Sequence, residues 1–184
     1  MVQLKPFDIQ NVALHYKWNN DEALSYHDSE YPHTYESFES FLKRIKSVAD
    51  ANNNTAELFE IHLAENDKLI GIVDIHAIDD YNKRCYVNCT IGDGDYTGQG
   101  CDLEALQIIL DYCFSKKGLH KVATTAFDFN TSWIEKVKEM GFKKEGELRE
   151  HVLKKGSFCN KLIFSILSHE FETKQEYTEA LAEH

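Results

Sequence analysis

Nine residues in the middle of the chain, Gly92-Asp-Gly-Asp-Tyr-Thr-Gly-Gln-Gly100, lead from an apolar alternation into a stretch with helical spacing. A glycine-rich turn that opens a helix aims backbone N–H groups and the positive end of the helix dipole at one point, which suits a phosphate. The same glycines also serve simply to ease a strand-to-helix turn, and on these residues alone both readings stand. The Lys-Ser/Thr of a P-loop and the full G-x-G-x-x-G of a dinucleotide fold are both missing, so neither of those nucleotide sites is expected. Five cysteines, Cys85, Cys89, Cys101, Cys113 and Cys159, form no C-x-x-C pair and leave one over, which suits reduced thiols. Cys85 and Cys89 share one side of a strand, but zinc would need two further ligands, so no metal site is expected. Cys101 opens a helix, where a thiol pKa can fall and the thiol react, although a plain packing role is the reading preferred for it. The nine histidines show no triad spacing. Six acidic residues, Asp21, Glu22, Asp28, Glu30, Glu36 and Glu39, lie between Asn19 and Ser40 without a Lys or Arg; they either attract a cation or form an ordinary solvated face.

The chain of 184 residues is 42% apolar and 12% aromatic, with two prolines and nine glycines, a composition that fits one packed domain. A formal charge of −11 argues against nucleic acid or anionic membrane as a partner, since both require a basic surface. No apolar run approaches the roughly 20 residues that cross a bilayer, and the N-terminus lacks the pattern of a signal peptide, so a cytoplasmic protein is expected.

The elements that must position the loop follow from hydrophobic period. Val2 to Phe7 reads as a strand and Val12 to Trp18 as a helix ending at Asn19-Asn20-Asp21. A second helix is predicted from Pro32-His33-Thr34, capped by Thr34, with Phe38, Phe41, Leu42 and Ile45 as its apolar stripe. Alternation predicts strands through Phe59–Leu63, Leu69–Ile75 and Cys85–Ile91, an antiparallel meander. Beyond the loop come a helix on Leu103, Leu106, Ile109, Leu110, Cys113 and Phe114, a strand from His120 to Phe127, a helix from Asn130 to Met140, and a hairpin of Phe142–Val152 with Phe158–Leu167. Residues 1–167 are read as a single domain, and residues 168–184 as an acidic tail or helix.

The ordered run Ile91-Gly-Asp-Gly-Asp-Tyr-Thr-Gly-Gln-Gly-Cys-Asp-Leu-Glu-Ala-Leu106, Leu119-His-Lys-Val122, Asn130 and Met140-Gly-Phe142 resembles the GNAT-type N-acetyltransferase superfamily, in the branch that holds ribosomal-protein-alanine and spermidine acetyltransferases. The resemblance implies an α+β fold: a mostly antiparallel seven-stranded mixed sheet, flanked by about four helices and splayed between its fourth and fifth strands. It implies acetyl-CoA in that gap. Backbone around Cys89, Thr90 and Ile91 would meet the pantetheine arm and thioester, Thr97, Gly98, Gln99, Gly100, Cys101 and Asp102 would wrap the pyrophosphate, and Asn130 would contact the cofactor arm. A strand edge and preorganised amides are physically suited to such a ligand.

Five positions depart from the family pattern, the first being Thr97, where Gln or Arg is usual. Asp102 stands where Gly or Ala is usual and would repel a diphosphate; Val137 takes the place of the tyrosine that reprotonates the leaving thiolate, and Trp133 that of a small Ser or Ala. Tyr86, at the position of a strand glutamate, is the catalytic candidate that remains, as an acid or to position water, against the alternative of a packing residue. The reading is an N-acetyltransferase that moves an acetyl group directly from acetyl-CoA to a primary amine: a small polyamine-like or cationic amine, or a protein N-terminus. Its rival is a catalytically weakened module on the same scaffold that binds an acyl-CoA or a protein partner without turnover. A homodimer is a further expectation, and a third reading is purely structural use as a dimer through the C-terminal strand and acidic tail.

Overall fold

In the computed structural model, which describes residues 1–50 and 53–171, seven strands form one sheet in the order β1-β2-β3-β4-β5-β7-β6. β1 (Val2–Pro6), β2 (Ala56–Leu63), β3 (Leu69–Asp79) and β4 (Arg84–Ile91) pair antiparallel in succession. β5 (Lys121–Phe127), β6 (Lys143–Lys154) and β7 (Ser157–Leu167) form a second antiparallel group, joined to the first by the parallel pair β4–β5. Parallel neighbours need a crossover, and α4 (Cys101–Asp111), continued by a π-helical turn over Tyr112–Lys116, supplies it. The architecture is the mixed, mostly antiparallel seven-stranded α+β sheet implied by the resemblance.

Period-2 alternation sends Val73, Ile75, Val87 and Val122 to the face covered by α4, whose Leu106, Ile109 and Leu110 are completely buried against them. Phe164 and Ile166 of β7 extend that core, and α5 (Thr131–Glu139) adds Val137. The other face carries the polar alternation Asp74, His76, Tyr86, Asn88 and Thr90, because β3 and β4 place these residues opposite the core positions.

The N-terminal third departs from its sequence pattern. After α1 (Val12–Asn19) a separate helix, α2 (Glu22–Asp28), stands where only a turn is predicted, so five α-helices are described rather than four. Asp21 caps α2 by accepting from the N–H groups of Ala23 and Leu24 at 2.9 and 3.2 Å. α3 (Phe38–Val48) begins at Ser37, not at Thr34, and Ser37 Oγ accepts from Ser40 N. The reason lies upstream: Asn20 accepts from Glu36 N at 2.8 Å and the Tyr16 hydroxyl donates to Glu36 O at 3.0 Å, tying the preceding segment to α1. Within α1 the buried residues are His15 and Trp18 rather than the aliphatic ones.

The expected acidic tail opens with a 3-10 turn over Ser168–Glu170, followed by Phe171 packed 5.3 Å from Phe114; its remainder, 172–184, lies outside the described residues. No helix among the described residues is long and apolar enough to cross a membrane.

Candidate active site

The parallel ladder between β4 and β5 has only three rungs, Arg84↔Lys121, Cys85↔Val122 and Tyr86↔Ala123. Beyond them β4 keeps its pairing with β3 through Ile91, and β5 its pairing with β7 through Phe127, while the two strands part from each other. The facing edge of β4 from Val87 to Ile91 therefore keeps backbone groups that no strand uses. Into this split opens a cleft of about 310 Å³ whose lining includes Cys89, Thr90 and Ile91 of β4, Thr125 to Phe127 of β5, and side chains from α2, α4, α5 and β7.

One wall is built by the glycine loop. Asp93 braces its start, accepting from Asp95 N and pairing with Lys68 at 2.9 Å, while the Lys68 ammonium sits 4.7 Å from the centre of the Tyr96 ring. Gln99 donates to Asp95 O at 2.5 Å, so this side chain holds the loop itself. Gly98 and Gly100 adopt φ of +77° and +85°, a left-handed conformation that side chains disfavour. Gly100 is the N-cap of α4 and brings no side chain to cap it. The N–H groups of Gly98, Gly100 and Asp102 find no acceptor among the described residues, which leaves donors at the positive end of α4.

The Asp102 carboxylate lines this wall and is ion-paired with Lys136 of α5, which lines it too. The negative charge that the sequence sets against a diphosphate is thus compensated within the protein. Asn130 lines the cleft and caps α5, accepting from Trp133 N at 3.4 Å. Trp133 forms part of the wall and leaves the cleft open, whereas Val137 is fully buried in the core. The Cys89 thiol lies 3.6 Å from Asp102 O; burial, with the nearby charges of Asp102, Asp28 and Asp74, pushes its pKa well above the ordinary thiol value.

The opposite wall comes from Leu24 and His27 of α2 and Lys161 of β7, which no sequence pattern marks as a site, together with Asp28 of α2, a member of the acidic stretch expected either to attract a cation or to form a solvated face. The signal for α2 is present in Asp21-Glu-Ala-Leu24, an N-cap followed by good helix formers. Asp28 accepts from the Thr90 hydroxyl at 3.0 Å. Behind it Tyr26, His27, Phe127 and Phe129 make an aromatic cluster, with the Lys154 ammonium 4.9 Å from the Phe127 ring.

Of the residues picked from the sequence, Cys89, Thr90, Ile91, Thr97, Gly98, Asp102 and Asn130 line the cleft. Gln99 and Cys101 line a second hollow beside Met1 and Glu104. Gly100 shapes the loop without lining the cleft, and Tyr86 stands outside it, its ring stacked on His76 at 5.7 Å. The lowered thiol pKa weighed for Cys101 is overturned: burial and the charge of Glu104 push it up. All five cysteines are free. Half of the acidic stretch is occupied, since Asp21 caps α2, Glu36 pairs with Arg44 at 2.7 Å and Glu30 pairs with Lys161.

Compared with known proteins, the chain matches the family model of the acetyltransferase (GNAT) domain over residues 2–143. It is 31% identical over 116 residues to an uncharacterised N-acetyltransferase, p20, of Bacillus licheniformis, an alignment spanning 63% of the chain and 65% of that relative. To the uncharacterised N-acetyltransferase YnaD of Bacillus subtilis it is 23% identical over 168 residues, 91% of the chain and 94% of the relative. Among solved structures, the spermidine N-acetyltransferase of Vibrio cholerae in complex with CoA and spermine superimposes with a TM-score of 0.83 at 23% identity, covering 92% of this chain and 96% of that one.

Proposed function

The chain belongs to the GNAT acetyltransferase family, and from that premise we propose that it transfers acetyl groups from acetyl-CoA directly to a primary amine, whether a cationic small molecule, a polyamine or a protein N-terminus. The three-rung β4–β5 ladder is the observation that carries this reading. A closed sheet would spend the β4 edge on β5; here the edge is free to bond an amide-rich arm as an added strand would. GNAT acetyltransferases use acetyl-CoA, and the residues present fit it: the uncommitted amides of Gly98, Gly100 and Asp102 suit its diphosphate, and the cleft leads from them to the β4 edge.

Bound acetyl-CoA supplies the thioester, whose carbon the amine attacks. The protein's part is to align the two reactants and to offer N–H groups to the carbonyl oxygen, effects that supply much of the rate in such transfers. Two features that favoured a non-catalytic module lose weight, since Asp102 is neutralised by Lys136 and Trp133 leaves the cleft open; Val137, in the core, still offers no acid for the leaving thiolate. A single domain over residues 1–167, a cytoplasmic location and a homodimer belong to the same proposal.

The test is a thermal melt with and without acetyl-CoA, followed by thiol release in the presence of an amine panel. A ligand at 100 times its Kd stabilises a fold by about 2.7 kcal/mol, a shift of several degrees. No shift at saturating acetyl-CoA would transfer the reading to the module.

A further inference from the structure

We propose that Asp28 is the catalytic residue that receives the acceptor amine, and that the acceptor presents a single ammonium group there rather than a polyamine chain. The inference rests on the transferase reading and narrows it to a class of substrate.

Two carboxylates line the cleft, and they differ. Asp102 is ion-paired with Lys136 on the wall of the glycine loop. Asp28, on the opposite wall, accepts a hydrogen bond from the neutral Thr90 hydroxyl and has no ion-pair partner among the described residues. It is therefore the cleft's carboxylate free to take a cation, and Thr90 ties it to the bare stretch of β4. Asp28 is an exposed residue on the wall of the cleft, where the surrounding protein partly desolvates its carboxyl.

The neighbouring carboxylates are committed elsewhere. Glu30 is paired with Lys161, Asp21 caps α2, and Asp74 contacts His76 at 2.7 Å and Asn88 at 3.3 Å. Lys161 lines the same cleft, and the Lys154 ammonium lies against Phe127, which also lines it. Glu30 balances Lys161, whereas Lys154 has no ion-pair partner among the described residues, so a second or third ammonium on the acceptor would meet the Lys154 charge without a carboxylate of its own, which selects against an extended polycation. The Phe127 and His27 rings suit an apolar or aromatic carrier.

In the reaction, Asp28 takes one proton from the ammonium. The freed nitrogen bonds to the thioester carbonyl carbon as the C–S bond breaks, its second proton goes to the departing thiolate, and the third stays on the amide. The groups facing Asp28 set its titration. Crowding by the protein pushes its pKa above the ordinary aspartate value and Asp74 adds to this, while the Thr90 hydrogen bond, His27 and Lys154 oppose.

The experiment measures kcat/KM at saturating acetyl-CoA for n-butylamine, 2-phenylethylamine and spermidine with the wild type, Asp28→Asn and Asp28→Glu, together with acetyl-CoA affinity by calorimetry. Asp28→Asn should lower kcat/KM for the monoamines by about 100-fold or more and remove the acid limb of the pH profile, with acetyl-CoA affinity unchanged and partial recovery in Asp28→Glu. A variant that binds acetyl-CoA normally and keeps its kcat/KM would overturn the role of Asp28. Faster turnover of spermidine than of both monoamines would overturn the single-ammonium acceptor. A wild type that binds acetyl-CoA but acetylates none of the amines would count against the transferase reading itself, and the inference would fall with it.

Discussion

The Asp102–Lys136 pair decides how a carboxylate can stand beside the diphosphate site proposed for the glycine loop. At roughly 6 Å and effective dielectric constants of 20 to 80, an unpaired carboxylate would cost about 1 to 3 kcal/mol per phosphate charge. Lys136 offsets that charge but is itself occupied in doing so. Asp102→Asn should therefore release Lys136 toward the phosphates and tighten CoA binding by about tenfold, while Lys136→Gln should weaken it by a similar factor, both read by calorimetry. Equal affinities in all three proteins would place the pair outside the reach of the diphosphate. Asp102 and Lys136 sit 34 positions apart on α4 and α5, so no local pattern announces their contact. The departure of Asp102 from its family was legible in the sequence; its compensation was not.

At the scale of elements, the glycine loop and α2 contrast in how they reveal themselves. Gly98 and Gly100 declare a special backbone because a positive φ favours glycine, and the helical period after them places the N-terminus of α4. α2 is seven residues long, too short to display an amphipathic period, and its cap at Asp21 looks like the turn that ends α1. Yet α2 supplies one wall of the cleft. Asp21→Ala should cost about 0.5 to 2 kcal/mol of stability through two lost cap bonds, and the loosened helix should raise KM for the amine more than the Kd for acetyl-CoA. Denaturant titration and steady-state kinetics read the two effects separately. A rise confined to the acetyl-CoA Kd would mean that α2 serves the cofactor wall. The start of α3 was misplaced for a related reason: Thr34 is a plausible cap in sequence, but hydrogen bonds from α1 to Glu36 hold the chain extended up to Ser37.

Across the whole molecule, one buried carboxylate ties the N-terminal helices to the sheet. Glu60 on β2 is 1% exposed and meets His15 at 2.7 Å, His62 at 2.9 Å and Asn11 at 2.8 Å. Burial alone would raise its pKa, but hydrogen bonds from His15, His62, Asn11 and the Asp8 amide together hold it below the ordinary glutamate value. A folded-state pKa lower than the unfolded one contributes stability that is present above the unfolded value and is lost as pH falls through the folded one. Glu30, Glu36, Asp93 and Glu145 are shifted the same way by Lys161, Arg44, Lys68 and Lys121. The melting temperature should thus fall as pH drops below about 4.5, and less steeply in Glu60→Gln, which is expected to be less stable at neutral pH by about 3 kcal/mol. An acid slope identical in the two proteins would remove Glu60 from this account. The His15 ring lies edge-on 5.4 Å from Trp18, and a Cβ on Gly92 would fall 2.1 Å from the Trp18 ring, so the cluster continues to the start of the glycine loop. By itself the sequence determined the strands, the crossover helix and the glycine loop before it, because periodicity, glycine conformation and motif order are properties of consecutive residues. Only the tertiary structure decided which carboxylates are neutralised, that Tyr86 stacks on His76 away from the cleft, and that α2 faces β4 across a gap. Those outcomes depend on side chains brought together from distant positions, and on a ladder that stops after three rungs.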